Sequence, residues 1–279
     1  MSLAAACEFQ SMRRRRIGRH IVTHSERSTP PSPTWCSPEE WEARLKLAAT
    51  YRVFHLLDWT ELIFNHITLR VPGPDKHFLI NPFGLTYDEV TASNLVKIDL
   101  SEKILSPSDY PVNPAGFVIH SAIHEHVEDA HCVMHTHTTA GLSVACMEDG
   151  LSYTNFYSAQ LHNMVAYHPF EGITVRDEEK SRLLSSMGNK RLLILRNHGL
   201  LSHGTTIAHA FALLWTLNRA CEIQVVTHSM RGNTLPISDE IVKGTTRDSL
   251  QFSPAHGAGE NVLAALIRRV DRIDASYRR

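Results

Sequence analysis

Three histidines in two separate stretches could together hold a metal ion. The first stretch is Cys132-Val133-Met134-His135-Thr136-His137-Thr138, an apolar run that leads into two imidazoles at i, i+2. In an extended strand that spacing turns both side chains to one face of a sheet. Far downstream, Leu192-Leu193-Ile194-Leu195 reads as a buried strand running into Arg196-Asn197-His198-Gly199, where Gly199 permits a tight turn beside a third histidine. His135, His137 and His198 as neutral ligands, with a fourth position left to water or substrate, would make a catalytic zinc site. The sequence holds 18 histidines, so a lone His-x-His pair is weak evidence. The apolar strand that delivers the pair, and the Asn-His-Gly turn, make it a prediction.

A second pair, His120 and His124, falls at i, i+4 on a helix expected over about Phe117 to Val127, a spacing that can also bind metal. The zinc-protease pattern requires Glu directly after the first histidine, and Ser121 stands there. His120 is expected to face the site, and His124 and His126 to be solvated.

The elements that must position these groups read as follows. Ser37-Pro38-Glu39-Glu40 is a capped helix start, with the acids facing the helix dipole, and the helix continues through Leu56. Phe64 to Val71 alternates as a strand, Val71-Pro72-Gly73-Pro74 is a turn, and His77 to Ile80 is the returning strand. Leu95 to Leu100 is a further strand. A helix from Thr138 to Ala145 leaves the two-histidine strand. Tyr153 to His168 suits equally a loop with a helix face or a pocket wall. Ile173 to Val175 reads as a short strand, and Asp177 to Met187 as a helix with acids first. Thr205 or Thr206 caps a long helix whose buried stripe is Ala208, Phe211, Trp215, Cys221 and Val225. From Arg231 to about Gly259 the pattern fades into polar loop. An amphipathic helix over Val262 to Ala275 then packs on its own domain or docks on a neighbouring subunit. Helices interleaved with hairpins imply an α/β layered domain with a mixed or largely antiparallel sheet.

At 279 residues the chain suffices for one large core. A formal net charge of −1 provides no global field toward nucleic acid or membrane. Five scattered cysteines without a Cys-x-x-Cys pair argue against a disulfide framework and a thiolate zinc site. No apolar run approaches the ~20 residues of a membrane span, and the start lacks the apolar core of a secretory signal, so a cytoplasmic protein is expected. Residues 1–34, with Arg13-Arg14-Arg15-Arg16 and a Pro-rich run, are expected to be a disordered basic tail.

Cys132 to Thr138 together with Arg196-Asn197-His198-Gly199-Leu200 resembles the class II aldolase/adducin family. Asn65-His66-Ile67-Thr68, Pro82-Phe83-Gly84-Leu85, Asn113-Pro114-Ala115-Gly116-Phe117 and Ala220-Cys221-Glu222-Ile223-Gln224-Val225 look most like its adducin-head branch. The likeness runs from about Glu39 to Met230 and places a class II aldolase/adducin-like domain at 35–232. A loop and the C-terminal amphipathic helix fill 233–279. The resemblance implies a three-layer α/β/α sandwich around a mainly antiparallel central sheet. It also implies one zinc or other divalent ion per subunit on the three histidines, and a homo-oligomer, often a tetramer, with sites at subunit borders.

Two departures from the family pattern shape the expected chemistry. The aldolases carry an acid/base Glu four residues before the position of His120, where Gly116 stands here. Their phosphate cradle of Gly-Asn, Thr-Gly and Ser-Ser pairs becomes Asn65-His66, Phe83-Gly84 and Pro114-Ala115, which lose the hydroxyls a phosphate dianion needs. Asn65, Gly84 and Asn113 remain the substrate-binding candidates. The expected function is a metal-dependent lyase, of aldol-cleavage or decarboxylation type, on a small non-phosphorylated hydroxy-carbonyl compound. His120 is the candidate for proton transfer. The alternative is a non-catalytic adducin-head-like oligomerisation or binding module with cytoskeletal, actin-associated partners.

Overall fold

In the computed structural model, which describes residues 30–173 and 176–279, Ser37 caps the first helix. Its hydroxyl accepts from the Glu40 amide at 3.1 Å, and α1 spans Pro38–Leu56, as its cap and first-turn acids predict. The basic tail, over residues 1–29, and the short strand expected at Ile173 to Val175 fall largely outside the described residues. Residues 32–279 form one compact unit.

The elements after α1 are β1 (His66–Arg70), β2 (Phe78–Ile80), β3 (Val96–Ile98), α2 (Pro114–His126), β4 (Cys132–Thr136), α3 (Thr139–Ala145) and α4 (Phe156–Ala159). There follow β5 (Val165–His168), α5 (Glu178–Met187), β6 (Leu192–Leu195), β7 (Gly199–Gly204), α6 (Ile207–Ser229), α7 (Asp239–Arg247) and α8 (Glu260–Ile273). The seven strands lie in the order β3-β2-β1-β4-β7-β6-β5. All neighbours are antiparallel except β5 and β6, which are parallel and need α5 as their crossover.

Alternation along the strands sorts the two faces. Ile67, Leu69, Cys132, Met134, Leu192, Ile194 and Leu200 join the core beneath α1 and α6. Val133, Leu193, Leu195 and Leu201 join Ile119, Ala122 and Ile123 of α2 and Leu183 and Met187 of α5. The sheet is therefore covered on both faces, a three-layer α/β/α sandwich, and His135 shares the α2 side with Val133. Tyr51 of α1 pins the start of β1: its hydroxyl donates to the Ile67 carbonyl at 2.6 Å and accepts from the amides of Ile67 and Asn81. One fully buried phenol thus holds helix, β1 and the end of β2 together.

Several elements depart from the sequence reading. β5 and β7 are strands that composition concealed, β5 by its polar surroundings and β7 by a glycine at each end. The 231–259 stretch contains α7, capped by Ser238. Its apolar side chains are Ile241 and Val242 alone, and only Val242 is buried, too short a stripe to mark a helix in a polar stretch. On α6, Val225 is 37 % exposed and Trp215 half-buried, whereas Leu213, Leu214 and Leu217 are fully buried. The sheet and neighbouring helices cover α6 on several sides, which blurs its 3.6-residue signal. α8 packs on its own domain: Leu263 and Val270 join the core under α1 and α6, and Asp274 pairs with Arg52 at 2.9 Å.

Candidate metal centre

β4 ends at Thr136, so His135 is delivered by the last turn of the pleat and His137 by the first residue beyond it. His198 comes from the three-residue connection between β6 and β7, where Leu195 pairs with Gly199. Asn197 supplies the left-handed residue of that connection, with φ 55°. Gly199 has a different role from the one its sequence position suggests. A Cβ there would lie 2.4 Å from the Thr136 carbonyl oxygen, 3.0 Å from His137 Cδ2 and 3.2 Å from His135 Cε1. It is glycine because β7 passes against the ligands, not because the turn demands it.

The three imidazoles converge. One ligand nitrogen from each of His135, His137 and His198 lies within 4.8 Å of the others, and the ring centroids are 4.6, 4.8 and 4.9 Å apart. Tetrahedral Zn–N bonds of about 2.0–2.1 Å require nitrogens roughly 3.4 Å apart, so small side-chain adjustments bring this set to a metal. His135 is the most constrained: its Nδ1 lies 2.9 Å from the Leu200 carbonyl. A carbonyl only accepts, so Nδ1 carries the hydrogen, and Nε2, 2.7 Å from His137 Nε2, keeps a lone pair that can bind a metal. Burial, then the neighbouring imidazoles His198 and His137, holds His135 well below the usual histidine range. Burial and His137 lower His198 to about 4. Burial also lowers His137, against the opposing charge of Glu61. All three are neutral at physiological pH, the form that binds metal. His135 is 3 % exposed, while His137 and His198 are half-buried, so the cluster opens on their side, where Phe170 stands 6.3 Å from His198.

A fourth imidazole, His66, adjoins the cluster, a role that its place in Asn65-His66-Ile67-Thr68 does not by itself reveal. His66 pairs directly with His135 across β1 and β4; their rings are 5.5 Å apart. Burial, above all, lowers its pKa to about 4. Its ring fills the space over Gly116 of α2, where a Cβ would sit 2.6 Å from His66 Cε1 and Nδ1. The signal was available: Gly116, His120 and His124 recur every four residues on one helix face, opposite the alternate strand residues His66 and Thr68.

His120 is fully buried behind His66, the two rings 4.2 Å apart. His124, expected in solvent, is also fully buried. It stacks on Phe78 at 4.3 Å and shares the Thr68 hydroxyl with His120 at 2.7 Å each. His126 is exposed. Asn65 precedes β1, is 2 % exposed, and its Oδ1 has no hydrogen-bond partner among the described residues. Asn113 caps α2 through its side chain, accepting from the Ala115 amide at 3.2 Å. Gly84 is exposed with φ 110°. Its neighbour Phe83 donates its amide to Pro111 at 2.9 Å, which ties that turn to the approach of α2.

Comparison with known proteins matches the class II aldolase and adducin N-terminal domain model to residues 45–225. A crystal structure of an aldolase II superfamily protein from Pseudomonas syringae is similar, with TM-score 0.82 and 43% identity, covering 88% of this chain and 98% of that one. An L-fuculose 1-phosphate aldolase from Glaciozyma antarctica is similar with TM-score 0.77 and 27% identity, over 89% of this chain and 97% of that one. Alpha-adducin of Rattus norvegicus is 42% identical over 243 residues, which are 82% of this chain but 33% of the adducin. No helix among the described residues is long and apolar enough to cross a membrane.

Proposed function

Because the chain belongs to the family of class II aldolases and adducin N-terminal domains, we propose that it is a divalent-metal-dependent lyase acting on a small hydroxy-carbonyl compound without a phosphate. The observation that carries this reading is the convergence of His135, His137 and His198, with the His135 lone pair set by the Leu200 carbonyl. Zinc suits three imidazoles with an open fourth position, and iron or another divalent ion could occupy the same ligands, with one ion per subunit. When bound, the ion supplies a Lewis acid that draws electron density from a carbonyl oxygen during aldol cleavage or decarboxylation.

The chain's own residues do the rest. His135, 3 % exposed, closes the inner side of the centre to water, and the half-buried His137 and His198 leave the outer side for substrate. His66 borders the ligands with His120 buried behind it, so the proton-handling role first expected of His120 passes to His66. The fields acting on the three ligands come from other histidines and from Glu61. Asn65-His66, Phe83-Gly84 and Pro114-Ala115 lack the hydroxyls of the family's phosphate cradle, which supports an unphosphorylated substrate. Asn65, Gly84 and Asn113 are proposed to border it. Assembly as a homo-oligomer, a tetramer by analogy with the family, and a cytoplasmic location complete the reading.

Metal analysis of the purified protein, followed by turnover assays on hydroxy acids and ketoses with and without chelator, tests it. Zinc near one per chain, with turnover abolished by chelator and by His137→Ala in a folded protein, is expected. The identity with alpha-adducin and the missing side chain at Gly116 favour a second reading, a non-catalytic oligomerisation or binding module with cytoskeletal partners. A metal-free, inert, well-folded oligomer would establish that reading instead.

A further inference from the structure

Behind His66 runs a chain of buried polar groups whose hydrogen positions follow from its far end. His124 Nδ1 lies 2.8 Å from the Ala130 carbonyl, which has no hydrogen to offer, so Nδ1 must donate. Burial holds His124 down at about 3, so it is neutral and its Nε2 is bare. The Thr68 hydroxyl, 2.7 Å away, therefore spends its single hydrogen on His124. Having only lone pairs left, Thr68 accepts from His120 Nδ1 at 2.7 Å. His120, neutral for the same reason, then has a bare Nε2. That atom is buried with no hydrogen-bond partner among the described residues.

The ring packed on His120 is that of His66, at 4.2 Å. His66 Nδ1 stands 3.5 Å from the Phe64 carbonyl, and the Gly116 backbone also engages the ring. We infer that Ala130, His124, Thr68 and His120 form a polarised orienting chain that presents a fixed acceptor, His120 Nε2, to a ring N–H of His66, and so sets which His66 nitrogen faces the metal centre. His120 is then a positioning residue that works through His66. The chain ends in a carbonyl and has no outlet, so it conducts no proton; it orients. This rests on the proposed function only in taking the His135 cluster as the reaction centre.

The test is long-range proton–nitrogen correlation spectroscopy of protein with 15N-labelled histidine, metal-free and loaded with zinc alone. Both His120 and His124 are expected as Nδ1–H tautomers, and His120 found as Nε2–H overturns the inference. Thr68→Val keeps the shape of the side chain and removes the hydroxyl. It is expected to change the tautomer pattern of both His120 and His66, with Thr68→Ser restoring both. An unchanged His66 in a folded Thr68→Val protein overturns the orienting role. On a substrate found by the assays above, Thr68→Val is expected to lower kcat about 10–100-fold with KM and zinc content unchanged, and an unchanged kcat counts against the inference. A protein that turns nothing over, yet shows the expected tautomers and their response to Thr68→Val, defeats the lyase reading and leaves the orienting chain standing.

Discussion

Gly116 and His66 compete for one volume, and that competition predicts a reversal of sign. In a first helical turn, Gly→Ala ordinarily stabilises by about 0.5–1 kcal/mol. Here the new Cβ would meet His66 Cε1 and Nδ1 at 2.6 Å and Cγ at 2.9 Å, distances no real contact tolerates. The imidazole cannot swing aside freely, because it is 6 % exposed and packed on His120 and His135. Overpacking of this kind costs about 1–3 kcal/mol, so Gly116→Ala is expected to destabilise by about 1–2 kcal/mol net, a fall in Tm of roughly 2–8 °C for a unit of this size. In a His66→Ala background the obstacle is gone, and the same Gly116→Ala is expected to stabilise. Urea unfolding of wild type, both single variants and the double variant gives the coupling directly, expected at about 1–3 kcal/mol. Equal effects of Gly116→Ala in both backgrounds would falsify the assignment of that space to His66.

Three further outcomes follow from the same geometry. Single substitutions His135→Ala, His137→Ala and His198→Ala are each expected to reduce bound zinc from about one per chain to near zero by elemental analysis; full zinc in any of them removes that residue from the ligand set. Gly199→Ala would place a Cβ 2.4 Å from the Thr136 carbonyl, so a loss of at least about 1–3 kcal/mol and weaker zinc binding are expected in a metal titration, and wild-type affinity contradicts the close approach. The metal-free protein should lose stability as pH falls from 6.5 toward 4. Burial lowers His66 to about 4 and His124 to about 3, so the unfolded chain takes up protons first, and each of these two imidazoles removes about 1.4 kcal/mol per pH unit across that window. Their contribution is complete above 6.5; a urea midpoint that stays flat between pH 7 and 5 refutes it.

Where one residue's chemistry determines its surroundings, the sequence was legible. Ser37-Pro38-Glu39-Glu40 marks its helix start because cap, ring and dipole act within four residues, and His135, His137 and His198 stand out because imidazoles ending apolar strands are chemically conspicuous. β7 was missed because a strand bounded by Gly199 and Gly204 looks like a loop until β4 and β6 are known to flank it. His124 looked solvated because its partners, Thr68, Phe78 and the Ala130 carbonyl, are contributed by three other segments of chain. Gly199 was read as a turn residue because a sequence shows what glycine permits and not what stands 2.4 Å from it.

Gly116 and Gly199 bear on whether this fold serves chemistry or only shape. Each stands within or at the edge of a regular element, where glycine lowers stability relative to alanine. The His66 ring occupies the place of a Cβ at Gly116, and at Gly199 the Thr136 carbonyl of the ligand-bearing strand does, with the His137 and His135 rings close beside it. The imidazoles are themselves costly, since those of His66, His120 and His135 are desolvated, and His120 Nε2 is buried with no hydrogen-bond partner among the described residues other than the one inferred for it on His66. Apolar side chains of similar volume would fill the same room without either penalty. Under the proposed metal-dependent reading these costs have a use, because a centre that holds an ion with bare nitrogens and turns a neighbouring ring toward a guest needs such an arrangement. Local rules broken at several adjacent positions, all toward one purpose, are the mark of a functional site.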